Sequence, residues 1–131
     1  MIELYNIGIS EETINNMLEL TPEIKELSEK EIKEKIIILE KIGCSNNQII
    51  NIIGSNSNYL NRTNKEIVEL IRVLVDYKFR TLSILIDSNP YILNLDPFEI
   101  NNYINNRVNN GETLEDVIDD LDSNPILFNE M

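Results

Sequence analysis

Ile32, Ile36 and Leu39 stand four and three residues apart, and Ile67, Ile71 and Leu74 repeat that spacing. Residues so spaced line one face of an α-helix, because a turn takes about 3.6 residues. No stretch keeps the strict polar–apolar alternation of a half-buried strand, so the Ile-rich segments 36–42 and 49–53 are expected to be helical. The boundaries are signalled as well. "SEKE" (Ser28 to Glu31), "SNNQ" (Ser45 to Gln48) and "TNKE" (Thr63 to Glu66) each place a hydroxyl at a helix start and an acid or amide three residues later, the spacing of a capping box. "DPFE" (Asp96 to Glu99) adds Pro97 at the first helical position, where a missing N–H costs nothing. Helices are expected to begin near Ser10, Ser28, Ser45, Thr63, Asp96 and Thr113, each capped by that residue. Breaks are expected near Pro22, Pro90 and Pro125, each four residues after an apolar position.

These signals recur with a period of about 35 residues. Leu4, Ile7, Gly8, Ser10, Ile14, Leu18, Ser28, Glu31, Ile32 and Ile36 fall on Leu39, Ile42, Gly43, Ser45, Ile49, Ile53, Thr63, Glu66, Ile67 and Ile71. Isoleucine is common here, so the coincidence of Gly, Ser/Thr and Glu carries the argument. Leu74, Leu82, Pro90, Glu99, Ile100 and Ile104 continue the series, and Gly111, Thr113, Val117, Leu121 and Pro125 form a truncated last unit. Each unit reads as a shorter helix, a Pro-marked bend with a brief apolar turn (Ile24 and Leu27; Ile92 and Leu95), and a longer helix. One such unit cannot bury its apolar face alone, so neighbours must stack. The expected fold is a single all-α domain, a helical-repeat solenoid of about three and a half hairpin units over residues 4–38, 39–73, 74–107 and 108–131. Gly8, Gly43 and Gly111 fall where helices stop, a place for a left-handed backbone.

"LYNIGISEETINNMLELTPEIKELSEKEI" and "ILEKIGCSNNQIINII" resemble repeats of the mitochondrial transcription termination factor (mTERF) family: a leucine, a glycine–serine turn, an apolar helix, a proline bend and a second helix. The resemblance runs through essentially the whole chain. It implies a curved superhelix whose basic inner surface binds nucleic acid and regulates organellar transcription or translation. This chain departs from the pattern in five ways. It is short and strongly acidic, it opens on "MIELYNIGISEE" rather than an Arg-rich transit peptide, its second bend reads "NSN" (Asn56 to Asn58), and its third turn reads "DYKFR" without a glycine.

Charge changes the functional picture. The 131 residues carry a net charge of −12, a field that opposes a polyanionic duplex and favours basic partners. Only residues 60–80 are locally basic, with Arg62, Lys65, Arg72, Lys78 and Arg80 against Glu66, Glu69 and Asp76. Tyr77 and Phe79 lie between the last cations, an arrangement in which a ring can stack beside a phosphate contact; alternatively Phe79 packs inward and the cations pair with the three carboxylates. The acidic extreme is the last unit, with Glu115, Asp116, Asp119, Asp120 and Asp122. It suits a basic protein surface, or caps the repeat array with a polar end. Glu26–Lys30, Glu29–Lys33 and Glu31–Lys35 have the spacing of ion pairs on a solvated helix face.

Candidate chemistry is sparse. The chain has no histidine, and Cys44 is its only thiol, in the slot held by Ile9 in the first unit, so it is expected to be a buried packing residue. No nucleophile triad or phosphate-gripping glycine loop is present. "DDLDSN" (Asp119 to Asn124) opens like a calcium loop but places Pro125 and Met131 where glycine and glutamate are required. No catalytic residue, metal or cofactor is expected. No apolar run reaches the roughly 20 residues of a membrane span, and the expected setting is soluble and cytoplasmic. The leading functional expectation is a non-enzymatic binding module engaging a basic protein partner through the acidic residues. The alternative is an mTERF-like nucleic-acid binder using the five cations of residues 60–80.

Overall fold

Every helix start named above is found, and the fold is all-α with no strand. The computed structural model describes residues 1–131, which form two compact units, Met1–Asn64 and Lys65–Met131. No helix is long and apolar enough to cross a membrane.

In the first unit α1 (Ile2–Ile7) is followed by α2 (Glu11–Leu20), a 3-10 turn (Pro22–Glu26), α3 (Glu29–Lys41), α4 (Asn46–Ser55) and a second 3-10 turn (Ser57–Asn61). Ser10 caps α2, and Ser28 and Ser45 form capping boxes with Glu31 and Gln48. The core is built from the residues at helical spacing: Leu4, Ile14, Met17, Ile24, Ile32, Leu39, Ile52 and Ile53 are buried to within 1%. Burying each such side chain contributes about 1.5–3 kcal/mol. The two 3-10 turns are tied by the buried Thr21 and Ser57 hydroxyls, 2.6 Å apart. Tyr59 is fully buried in the second turn, and its hydroxyl donates to the Lys35 carbonyl at 2.7 Å.

The second unit repeats the order: α5 (Asn64–Asp76, opening at the last residue of the first unit), α6 (Leu82–Ser88), a turn (Pro90–Asn94), α7 (Pro97–Asn109), α8 (Leu114–Ser123) and a final turn (Pro125–Glu130). Asp96 forms a capping box with Glu99 and has Pro97 at the first helical position; Thr113 caps α8. Here the tie between turns runs from Asn89 Nδ2 to the Pro125 carbonyl at 2.8 Å. Thr21–Ser57 and Asn89–Pro125 join equivalent positions one repeat apart, so the same hydrogen bond is made with different chemistry.

The bend does not need its proline. Thr21, Asn56, Asn89 and Asn124 share one backbone conformation, with φ between −146° and −131° and ψ between 70° and 84°. Each donates its N–H to the carbonyl four residues back. Three precede proline, which steers its neighbour out of the α region. Asn56 precedes Ser57 and adopts the conformation anyway, because the turn it starts is anchored by Tyr59 and by the Ser57 hydroxyl.

A second departure resolves in the same way. Gly8, Gly43 and Gly111 have φ of 105°, 97° and 105°, and the third helix end places Lys78 at φ 63°, the one non-glycine residue with positive φ. After each glycine the next N–H reaches back five residues, as in Cys44 to the Leu39 carbonyl at 3.1 Å, which closes the helix with a Schellman motif. That motif sets an apolar contact across the closure, and Cys44 and Leu39 are both buried. The lone thiol is thus a packing group.

The expected ion-pair face on α3 is partly replaced. Glu29 accepts from the backbone N–H groups of Ile2 at 3.2 Å and Glu3 at 2.9 Å, and from the Met1 amino group. These donors hold its carboxyl below the ordinary range. Lys33 lies 3.9 Å from Glu3. Lys35 is buried and donates to Asn64 Oδ1 at 2.7 Å. Open N–H groups at the start of α1 offer a carboxylate more than a solvated lysine four residues along the same helix.

Candidate binding surfaces

The five cations of residues 60–80 do not form one patch. Lys65 and Arg72 lie on α5 seven residues apart, about 20° from alignment on the helix, and both are exposed. Glu69 and Asp76 fall on the same face by the same geometry and are also exposed. Lys78 is exposed at the helix end. Arg62 is half-buried. Arg80 turns to α8: its backbone N–H donates to Asp122 Oδ2 at 3.2 Å, and its Nε lies 3.5 Å from the same oxygen.

The aromatics of this segment face the protein. Phe79 is buried and packs on the fully buried Phe128, ring centroids 5.9 Å apart. Tyr77 is half-buried and donates to Asn101 Oδ1 at 2.6 Å, and burial pushes its phenol up. Neither ring is free to stack on a base.

The acidic set divides as well. Glu115, Asp116 and Asp119 are exposed on α8. Asp122 serves Arg80, and Asp120 accepts from Arg107 Nη1 at 2.8 Å. Arg107 was not singled out from the sequence, though one signal was available: it is the only cation among the ten carboxylates of residues 81–131. Its Nε and Nη2 grip Glu112 at 2.7 and 2.6 Å, Nη1 also donates to the Tyr103 hydroxyl at 3.3 Å, and its Cζ lies 5.7 Å from the Tyr103 ring centre. Gly111 makes this possible by turning the chain so that Glu112 returns to the end of α7.

The bidentate grip of Arg107 holds the Glu112 carboxyl below its ordinary value, and Arg107 does the same to Asp120. A carboxylate whose folded pKa is lowered stabilises the fold fully above its unfolded value, near 4. That contribution is lost as pH falls through the lowered value. The urea midpoint is therefore expected to drop below about pH 4, and Arg107→Met should flatten this acid limb. An unchanged limb in Arg107→Met would show that other carboxylates govern it.

No cluster of His, Cys, Asp or Glu is placed to hold a metal ion. Against known proteins, a family model described as mTERF matches residues 2–120, and a comparison with curated proteins finds no match.

Proposed function

The chain belongs to the mTERF family of nucleic-acid-binding helical-repeat proteins, and on that premise we propose a member whose acidic α8 surface engages a basic protein partner, without catalysis. The observation that carries this is the distribution of unpaired charge. Glu115, Asp116 and Asp119 are exposed and make no ion pair, whereas Arg80 and Arg107 are both engaged by α8 carboxylates. Around α8 the charge left for a partner is negative, and complementary charge raises the encounter rate and selects the partner.

A second reading follows the family and rests on Lys65, Arg72 and Lys78, which are exposed and make no ion pair. The two separate by salt. Each phosphate contact adds a log–log salt slope of about −0.9 on duplex DNA. Three free cations then lose on the order of twentyfold in affinity between 50 and 150 mM salt. We expect no measurable binding of purified protein to duplex or single-stranded oligonucleotides near physiological salt. A labelled Lys/Arg-rich peptide should bind, and Glu115→Lys, Asp116→Lys and Asp119→Lys together should release it. Nucleic-acid binding that persists near physiological salt and disappears in Lys65→Glu with Arg72→Glu would instead establish the second reading.

A further inference from the structure

The unit Lys65–Met131 contains a cleft of about 320 Å³ where α6 faces the end of α8. Thr81, just before α6, and Ile84 and Ser88 within it line one side, and Asp122 and Pro125 line the other. Ile84 is 59% exposed, an open apolar wall. The Asp122 side chain is only 8% exposed. A carboxylate so far removed from water requires a strong partner. What it has is the Arg80 N–H at 3.2 Å and the Arg80 Nε at 3.5 Å, longer than the roughly 2.7–2.9 Å of a good charge-assisted bond. The Arg80 side chain is itself 68% exposed, so its hold on the carboxylate competes with water. The last turn of α8 carries no basic residue, which leaves the negative end of its dipole without a cation of its own.

A buried carboxylate, a helix C-terminus and an apolar wall together suit a cation on an aliphatic stem, since lysine and arginine lay their methylenes along apolar surface and present charge at the tip. The volume lies at the small end of ligand pockets, room for one long side chain and its immediate flanks. We infer that this cleft receives one arginine or lysine side chain of a basic protein segment, with Asp122 as the anchoring carboxylate and Arg80 as an internal stand-in that yields to it. This rests on the basic-partner reading and narrows it: the exposed face of α8 attracts the segment, and the cleft fixes its register.

The test uses the full chain and two fluorescein-labelled octapeptides, one with a central arginine between leucines and one with neutral citrulline in its place, read by anisotropy at 50 and 150 mM salt. The arginine peptide should bind at least tenfold more tightly than the citrulline peptide, and Asp122→Asn should weaken it about tenfold. Arg80→Gln should tighten it about threefold or more, a gain that a folding defect cannot produce. Equal binding of the two peptides, no loss in Asp122→Asn, or weaker binding in Arg80→Gln would overturn the inference. A Lys/Arg-rich peptide released by the triple α8 reversal but indifferent to Asp122→Asn and Arg80→Gln would overturn the cleft alone and leave the basic-partner reading standing. Failure of both peptide types would remove both.

Discussion

Tyr59→Ala is expected to cost about 3–5 kcal/mol, a third or more of the stability of many domains of this size. Tyr59 is fully buried and occupies the turn position that Ile24 and Ile92 hold in other repeats. Truncation removes the ring from the core and leaves a cavity. The hydroxyl is a separable part of the effect. Its bond to the Lys35 carbonyl ties the turn to α3, while that carbonyl also accepts the ordinary helical N–H from within α3, so Tyr59→Phe should cost only about 1 kcal/mol. Burial raises the phenol pKa well above its ordinary value, so it stays protonated and donates throughout the usual working range. Urea unfolding followed by far-ultraviolet circular dichroism gives both numbers. A loss below about 1 kcal/mol in Tyr59→Ala would mean that the second turn is not anchored through this ring.

The turn series has the next largest effect and changes sign along it. Gly43→Val places a β-branched residue at φ 97° and should destabilise by about 2 kcal/mol, since the left-handed region costs a residue with a Cβ about 1–2 kcal/mol and branching adds to it. At the same turn one repeat later Lys78 already bears that strain at φ 63°. Lys78→Gly should therefore raise stability, by up to about 1 kcal/mol, once the flexibility glycine adds to the unfolded chain is set against the relief. Thermal and urea unfolding of the two variants provide the check. A destabilised Lys78→Gly would show that the lysine side chain holds the turn by contacts rather than enduring it.

Lys78 and Asn56 show where local signals end. From sequence, the missing glycine and the missing proline look like defects in the third turn and the second bend. In the fold Asn56 repeats the backbone of its counterparts, and Lys78 takes the left-handed conformation of the glycines it replaces at a smaller φ, because packed neighbours on either side set the path. The capping boxes at Ser28, Ser45 and Asp96 were fully legible, since each involves residues three apart and little else competes for them. The Glu29–Lys33 pair was not, because Glu29 found backbone donors 26 and 27 residues away.

The candidate surfaces divide along the same line. Charge counts located the basic segment 60–80 and the acidic last unit, and no arrangement of the chain alters those counts. They could not say that Arg80 and Asp122, placed in opposing candidate sets, face each other, or that Arg107 takes Asp120 out of the acidic set. Helix positions, caps, repeat period and net charge depend on neighbours within a few residues or on simple sums, and so they belong to the chain as written. Which charges remain free for a partner depends on residues 13 to 42 positions apart meeting in space, and only the packing of α6, α7 and α8 brings them together.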